Sequence, residues 1–148
     1  MTEEEIKSVL MNENICRIAF IEDEYPYICP FQYVFHKNQL YFHFTDYGKK
    51  MRILNKNKNV CVSIEKFEPD LSSYFFVSIQ GKLIEIENKN ILIDVIKKIV
   101  NKAKNQFSKN FLAAHGFNNE DGWESLIEDS LLIYKLEEYS TRIGLKSY

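Results

Sequence analysis

The stretch LYFHFTDYGKKM, residues 40–51, carries more information about the fold than any other part of this sequence. It predicts an apolar strand, a short turn and then a helix that begins at two lysines, Lys49 and Lys50. A helix N-terminus carries about half a positive charge and several free N–H groups, so lysines in its first turn are locally unfavourable. A bound anion such as phosphate would reverse that penalty. The alternative is that Asp46 caps the helix and both lysines point into water.

The composition of the chain limits the classes of function. Its 148 residues are expected to form a single domain, 1–148. The net charge of −2 does not favour a nucleic-acid or anionic-membrane partner. No apolar run approaches the ~18 residues that a membrane span needs. The acidic start, TEEE at residues 2–5, is unlike a secretion or transit signal, so we expect a cytoplasmic protein.

The cysteines and the common catalytic motifs give no sign of a metal or hydrolase site. Cys16, Cys29 and Cys61 are odd in number, lack CxxC spacing and lie in apolar runs, so we expect buried small side chains. There is no Walker loop, GxGxxG, GxSxG or HExxH. No metal ligands are therefore predicted.

The hydrophobic pattern predicts mostly strands. In order, the predicted elements are a helix at 2–12, strands at 15–21, 27–35 and 40–45, a helix at 47–57, strands at 60–66 and 74–87, a helix capped by Asn88 or Asn90, irregular helical turns within 106–128, and strands at 131–138 and through Ile143. A change of apolar phase near Gly81 predicts a bulge or sharp bend. Successive hairpins, then a helix and a returning strand, favour a small closed barrel with peripheral helices.

Two strands carry candidate site residues. Pro30 lies inside the strand at 27–35, where proline indicates a sheet edge, a bulge or a gap in pairing. In the strand at 40–45, Tyr41, His43 and Thr45 share one face, which could line a pocket. The alternatives are an ordinary edge strand and a histidine with a structural role.

The order and spacing of four segments resemble a known family. YICPF at 27–31, LYFHFT at 40–45, GKKM at 48–51 and NVCV at 59–62 resemble the pyridoxamine 5′-phosphate oxidase-like flavoproteins, above all their nitroimidazole-resistance branch. The resemblance implies a mainly β fold, a six-stranded antiparallel split β-barrel with flanking helices. It also implies a homodimer that binds FMN at the subunit interface.

The resemblance further implies a cofactor site made by three segments. The residues that it places against FMN are Pro30, Phe31, His43, Phe44, Thr45, Lys49 and Lys50. Within this set, Pro30 would line the flavin ring, Lys50 would meet the phosphate, and His43 would be the catalytic histidine. The sequence leaves open whether Trp123, Arg142 or Lys146 reaches the partner subunit's flavin.

The expected function is that of an FMN-dependent oxidoreductase acting on small electrophilic or nitroaromatic compounds, with a nicotinamide cofactor as a candidate reductant. His43 could donate a proton or orient the substrate. Pyridoxamine 5′-phosphate oxidase activity itself is not favoured, because the only arginines for a second phosphate are Arg17, Arg52 and Arg142. The alternatives are a flavin-binding or flavin-sensing protein without robust turnover, and a split barrel that binds haem or a deazaflavin.

Overall fold

The computed structural model of the chain describes residues 1–106, 108 and 132–148. The elements are α1 (Glu3–Asn12), β1 (Ile15–Glu22), β2 (Tyr25–His36), β3 (Gln39–Phe44), α2 (Lys49–Lys56), β4 (Asn59–Phe67), β5 (Tyr74–Glu85), α3 (Lys89–Gln106), β6 (Leu132–Glu138) and β7 (Ile143–Lys146). All of the predicted strands and helices before residue 106 and after residue 132 are confirmed, with ends that differ by a few residues. The helical turns predicted within 106–128 fall mainly outside the described residues.

Six antiparallel strands close into a barrel in the order β1-β2-β3-β6-β5-β4, because β4 pairs with both β1 and β5. The short strand β7 pairs with β5 beside the barrel. The expected six-stranded antiparallel barrel is thus confirmed, with one additional strand.

Every second side chain along each barrel strand points into the barrel and fills its interior. In β4, for example, Val60, Val62 and Ile64 are buried, whereas Cys61 and Ser63 face outwards and are partly exposed. The same alternation along the other strands produces one continuous apolar core. Of the three cysteines only Cys16 is fully buried, while Cys29 and Cys61 are half-buried, so the expectation of burial holds for one of them.

Two-residue turns join the first three strands. Lys37 and Asn38 connect β2 to β3 with φ values of 47° and 63°. Two consecutive positive φ values match the twist of a type I′ hairpin, which holds β2 and β3 in register at this end.

The helices pack against the barrel, and α1 and α3 begin at side chains that cap them. Thr2 and Glu5 form a capping box at the start of α1, as the sequence predicts, and Ile6 and Leu10 of that helix join the barrel core. The Asn88 side chain accepts hydrogen bonds at the start of α3. No helix in the described part of the chain is long and apolar enough to span a membrane.

Helix α3 packs on the outer face of β3 and β6. Its buried residues Val95, Ile96 and Val100 form a second apolar cluster with Tyr41 and Ile133. This face of the barrel is therefore occupied by the protein itself.

Of the bulge or sharp bend predicted at Gly81, the bulge is wrong. The β4–β5 ladder runs through the Val60↔Gly81 pair without an inserted residue. The glycine is required because a Cβ there would lie 2.4 Å from the carbonyl oxygen of Glu137 on β6. Close approach of two backbones, and not an extra residue, explains this glycine.

The β2–β3 ladder is incomplete. It contains four pairs, from His36↔Gln39 to Tyr33↔Phe42. By contrast, β2 pairs with β1 as far as Tyr25. We call the opening between residues 25–32 of β2 and the end of β3 the seam.

Pro30 lies in the seam, so the predicted gap in pairing is confirmed. The Tyr33 N–H donates to the Asn14 carbonyl on the β1 side at 3.2 Å. Because backbone groups alternate in direction along a strand, those of Ile28 and Pro30 point towards the seam. The missing N–H of Pro30 therefore removes nothing from the β1–β2 ladder, and no described strand pairs with these seam-facing groups.

Candidate functional site

The N-terminus of α2 is uncapped and lies where β3 ends. Gly48 is the N-cap, with a φ of 92° and no side-chain cap hydrogen bond. Because the N-cap is Gly48 and not Asp46, the alternative of a cap by Asp46 is wrong. The first turn also contains no acidic residue. Lys49 and Lys50 therefore occupy the positive end of a helix whose first N–H groups have no side-chain acceptor from the N-cap. Such a terminus favours a bound anion.

The two lysines differ in their surroundings. Nζ of Lys49 lies 2.7 Å from Oε2 of Glu22, and it also sits 4.7 Å from the centre of the Tyr27 ring. Nζ of Lys50 lies 4.8 Å from the centre of the Phe31 ring and forms no ion pair with a described residue. The charge of Lys49 is thus already matched, while that of Lys50 is available.

The charge of Lys50 acts on both sides of the seam. Burial lowers the pKa of His43, and the nearby ammonium of Lys50 lowers it further. Burial raises the pKa of Cys29, and Lys50 opposes that shift. Since His43 faces outwards and Cys29 faces the barrel, Lys50 lies at the open end of the seam. His43 is consequently a neutral imidazole at pH 7.

Two of the expected cofactor residues point into the core. The rings of Phe31 and Phe44 are buried, with their centres 4.8 Å apart. Their side chains form the floor beneath the seam and leave only backbone groups for a ligand. Tyr41 does not line a pocket, because it packs beneath α3.

The outer side of the seam brings together four side chains. Pro30 is exposed, while His43 and Thr45 are half-buried. The Thr45 hydroxyl donates to the Tyr47 carbonyl at 3.2 Å. Gln32 completes the set, and sequence reasoning missed it.

The side-chain amide of Gln32 has a hydrogen-bond donor without an acceptor among the described residues. Its Nε2 is buried and has no partner among the described residues. Nothing in the local sequence signals this, because a lone glutamine in a strand is ordinarily solvated.

The C-terminal candidates are engaged within their own chain. Arg142 forms a buried ion pair with Glu138 and donates to the Asn38 carbonyl at 3.2 Å. Lys146 pairs with Glu5. Trp123 lies outside the described residues.

The sequence matches the family model described as pyridoxamine 5′-phosphate oxidase over residues 2–140. The chain belongs to this family. No curated protein matches the sequence at a significant level.

Solved structures share the fold of this family member at low sequence identity. An FAD-binding protein from Mesorhizobium loti is 20% identical with a TM-score of 0.64, covering 100% of this chain and 96% of its own. A candidate 5-nitroimidazole antibiotic resistance protein from Bacteroides thetaiotaomicron is 22% identical with a TM-score of 0.64, covering 97% and 82%. The haem storage protein HutZ from Vibrio cholerae is 12% identical with a TM-score of 0.68, covering 95% and 92%.

Replacement of Lys50 by glutamine is expected to raise the pKa of His43, because it removes one of the two causes that lower it. Burial remains, so the pKa should stay below its ordinary value. An NMR pH titration of the imidazole resonances measures the shift. Lys49→Gln is the control, since Lys49 is paired with Glu22 and should leave the pKa of His43 unchanged. Equal His43 titration curves in Lys50→Gln and wild type would contradict the placement of Lys50.

Proposed function

We propose that this protein binds FMN, with the phosphate at the N-terminus of α2 and the flavin ring over the seam. The observation that carries the proposal is the uncapped first turn of α2, with the available charge of Lys50, beside a strand edge that has no partner among the described strands. Membership of the family supports it.

The residues at the seam fit both ends of this cofactor. A phosphate monoester needs backbone N–H donors and a free cation, which Gly48-Lys49-Lys50 offers. A flavin ring needs a flat opening and hydrogen-bonding groups along its edge. The seam provides the unpaired backbone groups of Ile28 and Pro30 and the side chains of Gln32 and His43.

We propose that a second copy of the chain covers the outer face next to the seam. Exposed apolar side chains lie there around small central residues of the sheet. This outer patch consists of Ala19, Ile21, Ile28, Cys61, Phe76, Ile143 and Leu145. Ile28 on β2 and Ile143 and Leu145 on β7 are 57%, 69% and 58% exposed. They lie on either side of the outer face that β1, β4 and β5 form between these two strands. Because Ile28 also borders the seam, the partner would lie at the edge of the cofactor.

The proposed reaction is the reduction of small electrophilic or nitroaromatic compounds, with a nicotinamide cofactor as reductant. Bound flavin supplies the hydride or electron chemistry. His43 contributes a neutral imidazole, since its pKa is lowered. A neutral ring orients a substrate by donating a hydrogen bond from one nitrogen or accepting one at the other, and it is a poor source of a proton at pH 7.

FMN binding should depend on Lys50. Lys50→Glu removes a charge-assisted hydrogen bond and is expected to weaken FMN binding by about 2 kcal/mol, roughly 30-fold. Isothermal titration of the apoprotein measures this, and riboflavin, which lacks the phosphate, should bind equally well to both proteins. Lys97→Glu, on the exposed side of α3, is the control. An unchanged FMN affinity in Lys50→Glu would remove Lys50 from the site.

The same titration distinguishes the alternative ligands. Wild-type protein that takes up neither FMN nor FAD contradicts flavin binding. A Soret band on addition of haem would instead place this chain with haem-binding split barrels. Tight FMN binding without turnover of any nitroaromatic would indicate a flavin-binding or sensing protein.

His43→Ala is expected to retain FMN and to lower nitroaromatic turnover roughly tenfold, because it removes a hydrogen bond that orients the substrate. Steady-state kinetics with a nicotinamide reductant measure the loss. His36→Ala is the matched control, because His36 is also half-buried but lies at the closed end of the β2–β3 ladder. Equal turnover by His43→Ala and wild type would assign His43 a structural role.

Ala19→Arg should produce a monomer, because it places a charge at the centre of the outer patch of both copies. Sedimentation velocity at micromolar concentration measures the mass. Ile93→Arg, on the exposed side of α3, should remain dimeric. A monomeric wild-type protein would contradict the proposed interface.

A further inference from the structure

We propose that the Gln32 side-chain amide donates a hydrogen bond to the edge of the bound flavin ring and raises its reduction potential. This inference rests on the proposed function, since it concerns the same site. It assigns a positioning and tuning role to a residue that the sequence analysis did not single out.

The direction of the side chain follows from strand alternation. Phe31 and Tyr33 are buried in the barrel core, so Gln32 between them faces outwards. On β3, Phe42 and Phe44 occupy the core in the same way, so His43 faces outwards.

Gln32 and His43 lie on the two strands at the closed tip of the seam. The last pair of the β2–β3 ladder is Tyr33↔Phe42. Gln32 and His43 are the next residue on each strand, on the same outer face. A ring lying over the seam would therefore reach these two side chains first.

The amide of Gln32 lacks an acceptor. Its Nε2 is buried and unbonded among the residues that the structure describes. A buried donor without a partner destabilises the folded protein. The other buried polar atoms without a partner in that part of the chain belong to Asn14, Tyr33 and His36, and none of these faces the seam. A ligand that offers an acceptor at this point would recover the energy.

The pyrimidine edge of a flavin offers such acceptors in its carbonyl oxygens and ring nitrogens. Two-electron reduction of the ring adds negative charge to that edge. A neutral amide donor there binds the reduced ring more tightly than the oxidised ring, because hydrogen bonds to charged acceptors are about twice as strong. Hydrogen bonds to the ring are an established means by which proteins set flavin potentials.

The test compares Gln32→Leu, Gln32→Glu and the control Gln39→Leu. Gln39 is the same residue type on β3, at the closed end of the ladder. Three quantities are measured on each protein: the unfolding free energy of the apoprotein, the FMN affinity, and the potential of bound FMN in a dithionite titration with a reference dye.

Gln32→Leu should leave the apoprotein as stable as wild type or more stable, because it removes an unmet donor. The same variant should bind FMN roughly tenfold more weakly. Its bound FMN should have a more negative potential, by about 30 mV for each tenfold loss of preference for the reduced ring. Gln32→Glu should shift the potential further in the same direction, since its carboxylate repels the reduced ring. Gln39→Leu should change none of the three.

Two results would overturn the inference while flavin binding stands. One is an unchanged potential in both Gln32 variants. The other is a loss of apoprotein stability in Gln32→Leu that exceeds the loss in Gln39→Leu, which would show a structural partner for the amide. Failure of wild-type protein to bind FMN would instead overturn the proposed function.

Discussion

The early end of the β2–β3 ladder is the constraint on which the candidate site depends. The type I′ turn holds the two strands together at one end, and pairing stops at Tyr33↔Phe42. Beyond that point each strand keeps its other neighbour, so the barrel remains closed elsewhere and the core stays intact. The end of pairing leaves an unpaired backbone edge on the surface, directly beside the start of α2. Pro30 is tolerated in this edge because its missing N–H breaks no ladder hydrogen bond.

The start of α2 supplies the charge that the seam lacks. Gly48 allows the chain to turn at a positive φ, and the first turn of the helix contains no acidic residue of its own. The Lys49–Glu22 ion pair fixes the first turn against the end of β1. The ammonium of Lys50 lies over the Phe31 ring, and its charge is unmatched by any described carboxylate. An unmatched positive charge is unfavourable next to a helix N-terminus unless an anion binds there.

Alternation and turn chemistry were sufficient to predict the strands, because each strand has one face in the barrel core. The capping box at Thr2 and the cap at Asn88 are local sequence motifs, so the starts of α1 and α3 could also be predicted from the sequence. Gly81 was misinterpreted because a sequence pattern cannot distinguish a bulge from the approach of a second backbone, here that of Glu137. Tyr41 was placed in a pocket because the packing of α3 on β3 is a tertiary contact without a local signal.

The site itself was only partly predictable for a related reason. Pro30 and Lys50 break local rules, and broken local rules are visible in a sequence. His43 was singled out by its strand face and by the resemblance to the family. Gln32 breaks none, and its significance arises from burial at the tip of the seam. The inward direction of Phe31 and Phe44 likewise follows from the register of the whole barrel.

Backbone groups at the seam cannot by themselves select a ligand. Every split barrel with an interrupted ladder exposes such groups, and solved structures of this fold carry names that refer to both flavin and haem. At 12–22% identity to the three structures compared, the shared feature is the fold, and selection must come from the side chains that differ. In this chain those side chains are a neutral histidine, a lysine without an ion pair and an amide without an acceptor, as far as the described residues show. They form a cationic end, which suits a phosphate, and an uncharged hydrogen-bonding end, which suits a planar heterocycle. This separation of charge from hydrogen bonding along the seam is the reason why we propose a phosphorylated flavin as the ligand.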